Sequence, residues 1–280
     1  MTVRHKVAVA VLLVAVVAMA GCGDDASRTG GSSRGTLVLA TTTSTQDSGL
    51  LDVLIPAFER ESAYRVKTIA VGSGQALEMG RRGEADVVLA HSPAGEGKLM
   101  ATGVAGRRRL VMHNDFVIVG PAKNPAGIGG SSATPAFTRI AGARAPFISR
   151  GDESGTNTSE LKLWAAAGVK RSGSWYQESG QGMAATLRIA DEKRAYTLTD
   201  RGTYLATARN GGLKVLVEGD SALRNVYHVI DMTKRAGDRV NVVGARAFAS
   251  WIVSAPAQRT IASFGRDKYG RSLFTPDAPD

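Results

Sequence analysis

From Thr36 onward, short runs of β-branched and aliphatic residues alternate with longer stretches in which apolar residues recur every three or four positions. LVLATT (37–42) reads as a strand and SGLLDVLIPAFERES (48–62) as an amphipathic helix opened by a capping Asp or Ser. YRVKTIAV (64–71) predicts a second strand, QALEMGRRG (75–83) a second helix and ADVVLAH (85–91) a third strand. This β-α-β-α-β order predicts a parallel sheet covered by helices, with ligands at the carboxyl ends of its strands. DFVIVGP (115–121) is a further strand, followed by the polar KNPAGIGGSSATP. Beyond it the pattern predicts helices near 135–142, 158–167 and 182–193, a strand at 145–149 and a strand or turn at YTLTD (196–200). LKVLVEG (213–219) and VYHVIDM (226–232) are late strands, and 244–266 reads as helical. The expected architecture is α/β, with two parallel-sheet lobes: 36–118 with 225–280, and 119–224. The chain crosses between them near 116–121 and 217–230, a double-strand hinge across which a cleft could open and close.

Composition changes this picture little. The 280 residues suffice for two such lobes. The formal charge of +10 admits nucleic acid, an anionic surface or an anionic small ligand as partner. The basic residues are scattered, however, with Arg107-Arg108-Arg109 the densest run, and no nucleic-acid motif is present. Most of this charge reads as solvated surface. The N-terminus is more informative: Arg4 and Lys6 precede an apolar run, Val7 to Ala20, too short to span a membrane comfortably. Residues 1–21 read as an export signal. AMAGC ends in Cys22, the single cysteine, and resembles a lipobox whose cysteine becomes lipidated, although Met19 replaces the usual leucine. The polar, Gly/Ser-rich segment 22–35 suits a flexible tether. GSSRG within it matches a nucleophile motif but has neither the strand nor the helix that motif needs.

Three segments at strand ends share a chemistry: ATTTSTQDSG (40–49), AVGSGQ (70–75) and ISRGDESGTNTS (148–159), with SGQGMAATL (179–187) a fourth. Each offers hydroxyls or glycines where a helix begins, and a helix N-terminus presents unpaired N–H groups to an anion. Ser and Thr there also serve as simple N-caps. Arg150 adds a planar guanidinium suited to an oxyanion, or to a local ion pair with Asp152 or Glu153. The histidines, His5, His91, His113 and His228, have no metal-ligand spacing. His91, in LAHSP, is either a structural residue at a strand end or the base of a serine triad assembled in space.

TTTSTQDSGLLDVLIPAFE, VGSGQALEMGRRGEADVVLAH, NDFVIVGP, SRGDESGTN, WYQESGQGMAATL, AYTLTDRGTYLA and FGRDKYGRSLF occur in order over nearly all of 37–277. As a set they resemble the tungstate-binding proteins of TupA-type ABC importers. The resemblance implies a type II periplasmic-binding-protein fold, delivery of the ligand to a membrane permease, a monomer, no cofactor and no catalysis. It carries oxyanion contacts onto Thr42, Thr43, Ser44, Ser73, Gly74, Arg150, Ser154 and Thr156, with Thr197 and the backbone of Gly182 or Met183 as additions. HSPAGE (91–96) departs from the family pattern, which carries an acidic residue after the histidine. Molybdate, sulfate and phosphate remain open as ligands, and a lipid-anchored serine hydrolase is the alternative of another class. The expected location is the outer face of the cytoplasmic membrane.

Overall fold

The computed structural model describes residues 34–207 and 210–279. The expected signal, Cys22 and most of the tether lie outside them.

The chain begins with strand β1 (Gly35–Thr42), helices α1 (Thr43–Asp47) and α2 (Leu51–Ser62), β2 (Tyr64–Val71), α3 (Ser73–Arg81), β3 (Val87–Ala90) and α4 (Pro93–Ala101). Then follow β4 (Ala105–Pro121), α5 (Ala133–Gly142), β5 (Phe147–Ser149), α6 (Gly155–Ala166), β6 (Tyr176–Glu178) and α7 (Met183–Glu192). The remainder is β7 (Thr197–Asp200), α8 (Arg201–Thr207), β8 (Leu213–Val217), a 3-10 turn at Ser221–Leu223, β9 (Arg224–Met232), α9 (Val242–Trp251), α10 (Ala255–Ser263), α11 (Arg266–Tyr269) and β10 (Thr275–Pro276).

The helix expected over 48–62 is α2, and a short helix, α1, precedes it unforeseen. Thr42 is extended and its hydroxyl caps α1 by accepting from the Thr45 N–H, so the turn starts five residues earlier than the apolar pattern does. Gly49, at φ +80°, then redirects the chain into α2. β4 also begins ten residues before its apolar half, because its first section carries the exposed Arg107 and Arg108.

Among the described residues, parallel pairing is confined to β2-β1-β3, to β5-β6 and to the Phe147–Tyr196 bridge. β9 runs antiparallel to β3 and β4 antiparallel to β9, so the expected parallel sheets are in fact mixed. The reason is connectivity: a chain that leaves on β4 and returns on β9 must run in opposite directions on the two passes. β4 changes partners within its own length. Asp115 is the last residue paired with β9, and Phe116 the first paired with β7, while β8 pairs from Ile118 onward.

Apolar side chains collect into separate cores on the two sides of that change. Leu37, Leu39, Leu54, Phe58, Leu89 and Phe248 lie in one cluster, with Ala76, Val88 and Ile230 in another on the opposite sheet face. Phe116, Phe137, Phe147, Trp164 and Tyr196 form a third, and Val117, Met183 and Leu187 a fourth. Successive strand residues point to opposite faces, so each sheet sorts its apolar residues into two layers. Around Trp164 the rings meet edge to face, 4.3 Å from Phe137 and 5.1 Å from Phe147 between centroids. Such pairs add about 0.5–1.5 kcal/mol beyond area burial. Phe58 is fully buried and meets Phe248 edge-on at 5.0 Å. Phe58→Ala is therefore expected to lower stability by about 3–5 kcal/mol in urea unfolding; a loss below about 1 kcal/mol would mean that this core repacks freely.

Candidate functional site

The starts of α1, α3 and α7, with the segment leading into α6, line one cavity of about 370 Å³. Its walls are Thr43; Val71, Gly72, Gly74 and Gln75; Arg150, Asp152 and Glu153; and Gly180, Gln181 and Gly182. Gly72 and Gly182 are the N-caps of α3 and α7 and bring no side-chain oxygen to the first-turn N–H groups. At α7 the Asp47 carboxylate takes the Ala184 N–H; the other first-turn donors face an acceptor with the positive ends of two helix dipoles behind them.

Segments from the two sides of the β4 partner change touch here. The Gly155 N–H donates to Ser73 Oγ at 3.0 Å, and Arg150 Nη2 donates to Thr43 Oγ1 at 3.3 Å. A side chain at Gly155 would place Cβ 2.6 Å from the His91 carbonyl oxygen and 2.7 Å from its Nδ1, so only glycine lets α6 approach β3 this closely. A Cβ on Gly182 would lie 3.5 Å from Thr43 Oγ1.

Arg150 is buried at the carboxyl end of β5. Its carbonyl accepts from the Gly180 N–H at 2.8 Å, and Gly151 holds φ +62° where a Cβ would strike Glu178. Behind it, the buried Glu160 accepts from Ser149 Oγ at 2.6 Å, Trp164 Nε1 at 2.9 Å and the Tyr176 hydroxyl at 3.0 Å. Burial pushes the Glu160 carboxyl above its ordinary pKa, and these hydrogen bonds oppose the shift. Arg150 Nη2 pairs with Asp152 Oδ2 at 2.5 Å, the local ion pair that the sequence also allowed. Arg150 Nε and Thr156 Oγ1 are buried with no hydrogen-bond partner among the described residues. Orphaned buried donors cost about 1–3 kcal/mol each and are uncommon, so the one on Arg150, which lines the cavity, calls for an acceptor there.

The structure places the other expected residues unevenly. Thr43, Gly74, Arg150 and Gly182 line the cavity. Ser73 joins the two sides through Gly155, and Ser154 caps α6 by accepting from the Asn157 N–H at 3.1 Å. Thr42 and Ser44 are buried behind Thr43, where both hydroxyls lie 3.2 Å from His91 Nε2. Met183 is buried in the fourth apolar cluster. Thr197 opens β7 opposite Val119, with its hydroxyl directed to the Leu198 carbonyl, and is not brought to the cavity. Gln75 and Gln181 line the wall without a sequence signal, because a glutamine at a helix start looks like any surface residue.

His91 is the unexpected neighbour. Its Nδ1 faces Asn225 Oδ1 at 2.9 Å while its Nε2 faces Thr42 and Ser44. Burial, reinforced by the Arg150 guanidinium, pushes its pKa down to about 4 against the partial opposition of Asn225 and Glu96.

Residues 26–256 match the family model of the PBP superfamily domain. The chain is 44% identical over 276 residues to the tungstate-binding protein TupA of Peptoclostridium acidaminophilum, covering 96% of each protein. The chain belongs to the TupA family of this superfamily. The solved TupA from Desulfovibrio alaskensis G20 is 41% identical and superposes with a TM-score of 0.75, covering 87% of this chain and 99% of that one. A structure described as the tungstate ABC transporter from Geobacter sulfurreducens is 44% identical with a TM-score of 0.76, covering 82% and 98%. Among TupA-family features, the TTTS and SRGDESGT segments of this chain are the ones that meet through Arg150 and Thr43.

The depressed His91 pKa fixes a pH effect. Unfolded His91 takes up a proton near pH 6.5, while the folded protein resists until about pH 4, so native stability falls as pH drops through that window. The slope is about 1.4 kcal/mol per pH unit. Asp200 and Glu160, whose pKa values burial raises, act with the opposite sign. The difference between wild type and His91→Gln in urea unfolding at pH 7, 6 and 5 therefore isolates the histidine. The wild type is expected to lose more stability than the variant on acidification; parallel losses would contradict the assignment.

Proposed function

We propose that the protein is the solute receptor of an ABC importer and captures tungstate, a tetrahedral dianion, in the cavity between the starts of α1, α3, α6 and α7. The single observation that carries this reading is Arg150: a buried guanidinium with an orphaned Nε, held against a cavity rimmed by helix N-termini whose N-caps are glycines. The likeness to tungstate-binding proteins supports the choice of ion. A dianion removed from water must find donors at every oxygen. Thr43, Ser44, Ser73, Gly74, Arg150, Ser154, Thr156 and the amide following Gly182 are the donors assigned here, Thr42 and Thr197 being less directly placed.

Two lobes, 36–118 with 225–280 and 119–224, would part about the β4 and β8–β9 crossings. The contacts Gly155 to Ser73 and Arg150 to Thr43 would then belong to the closed form, which the ligand favours because both lobes contact it only there. A permease reading that form would receive the ion. Export through residues 1–21, anchorage by a lipidated Cys22 and action as a monomer outside the cytoplasmic membrane complete the proposal.

Asp152 gives a reason to prefer a fully deprotonated oxyanion. Its Oδ2 is taken by Arg150 and its Oδ1 accepts the Ser154 N–H at 3.2 Å. A protonated ligand such as hydrogen phosphate would bring a donor to an acceptor already engaged. Molybdate, alike in charge and shape, is expected to compete.

The hydrolase reading has one observation in its favour: Ser44, His91 and Asn225 form a line resembling a serine triad. A general base works best with a pKa near the operating pH. At about 4, and beside Arg150, His91 is a poor acceptor for a serine proton that must leave during attack. Binding fits the same geometry better.

Calorimetry on residues 23–280 tests the proposal. Tungstate is expected to bind, Arg150→Ala to weaken it by roughly 2–4 kcal/mol, and phosphate to compete at least about tenfold more weakly. Unchanged affinity in the variant would remove Arg150 from the site, and equal competition by phosphate would remove the selectivity argument.

A further inference from the structure

A line of buried polar side chains runs from the strand crossing to the first hydroxyl segment. It starts at Asp200, whose Oδ1 accepts the Thr203 N–H at 2.8 Å and faces Asn114 Nδ2 at 3.5 Å. Asn114 sits on β4 at the end of its pairing with β9, opposite Asn225. Asn114 Oδ1 accepts from Asn225 Nδ2 at 2.7 Å, and the same Nδ2 donates to the Tyr227 hydroxyl at 3.1 Å. Asn225 therefore turns its carbonyl oxygen to His91 Nδ1, 2.9 Å away. Reversing both amides would set Asn114 Oδ1 against an Asp200 oxygen that is already accepting, so the direction of the line is fixed from the Asp200 end.

A carbonyl oxygen opposite Nδ1 requires a proton on Nδ1. The ring carries no second proton, because burial beside Arg150 opposes the imidazolium and sets its pKa at about 4. Nε2 is thus a bare lone pair. It lies 3.2 Å from both Thr42 Oγ1 and Ser44 Oγ, and it is the one atom of that cluster that can only accept. Thr42 Oγ1 accepts from the Thr45 N–H at 3.2 Å. The Thr45 hydroxyl lies 2.6 Å away, where either oxygen can donate; when Thr45 donates, the Thr42 proton is left for Nε2.

We propose that His91 is a positioning residue whose Nε2 takes the Thr42 proton, locking Thr42 as the cap of α1 and leaving the Ser44 proton free for the ligand. The role assigned to Ser44 rests on the oxyanion reading of the cavity; the tautomer does not. Thr42 then serves the ligand by orienting α1 and not by touching the ion. The two asparagines place the crossing strands in hydrogen-bond continuity with that cap, so the hydroxyl arrangement is set by the same residues that set the crossing.

Long-range nitrogen–proton NMR on wild-type protein without ligand reads the tautomer directly. The expected spectrum shows His91 neutral and protonated at Nδ1 from pH 8 to 5, and an Nε2-protonated ring or an imidazolium in that range overturns the proposal. Calorimetry with sodium tungstate on His91→Phe, Thr42→Val and the double variant reads the consequence. Each single change is expected to weaken binding about 10–100-fold, as for a lost buried hydrogen bond, and the double change no further than the worse single one. Multiplying losses would show that the two residues act separately and overturn the coupling. Should wild-type protein give no heat with tungstate, the ligand reading fails while the tautomer still stands or falls on the spectrum.

Discussion

A buried guanidinium with one N–H unanswered is the constraint on which the rest of this molecule depends. Arg150 cannot be solvated where it sits, and Asp152 satisfies only part of it. The surroundings are built to hold it in that condition. Glu160 and its three donors fix the strand end that carries it, Gly151 permits the tight passage past Glu178, and the Gly180 amide clamps its carbonyl. The first half of the chain contributes helix starts where Gly72 and Thr43 bring amides and a hydroxyl within reach. In the proposed reading neutral dipoles supply most of the attraction and one cation sets the address.

The cavity exists because two crossing strands bring separate cores into contact at one edge. β4 belongs to both, changing partners between Asp115 and Phe116, and β9 returns beside it. The polar side chains Asn114, Asn225 and Asp200 are buried at that place, where an all-apolar seam would have packed the halves together in no preferred direction. Hydrogen bonds between buried polar groups admit few arrangements. That property would suit the proposed joint, whose two positions must each be well defined.

Much of this was readable from the sequence, and the failures have physical causes. β2 runs over the expected residues, 64–71, because its flanks are polar and its alternation is clean. The hydroxyl- and glycine-rich segments stood out because a helix start has few ways to present donors. α1 was hidden, since a five-residue helix has no apolar period to detect and its cap lies inside the preceding strand pattern. The first half of β4 was masked by its arginines, and α4, beginning Pro-Ala-Gly, carries almost no amphipathic signal. Thr197 opens β7 with its hydroxyl turned to the Leu198 carbonyl, an orientation its motif alone did not reveal. His91 read first as a structural strand-end residue and only second as a chemical one; its two ring nitrogens, each facing a different partner across more than forty residues of sequence, assign it.

Locating the metal atom itself is the most direct test of the central claim. Crystals grown with tungstate, measured at a wavelength where tungsten scatters anomalously, give its position without reference to any assumed contact. The peak is expected between the Arg150 guanidinium and the starts of α1, α3 and α7, with Arg150 Nε directed at a ligand oxygen. A single strong peak outside that cavity, or an Arg150 side chain turned to solvent beside an occupied site, would contradict it.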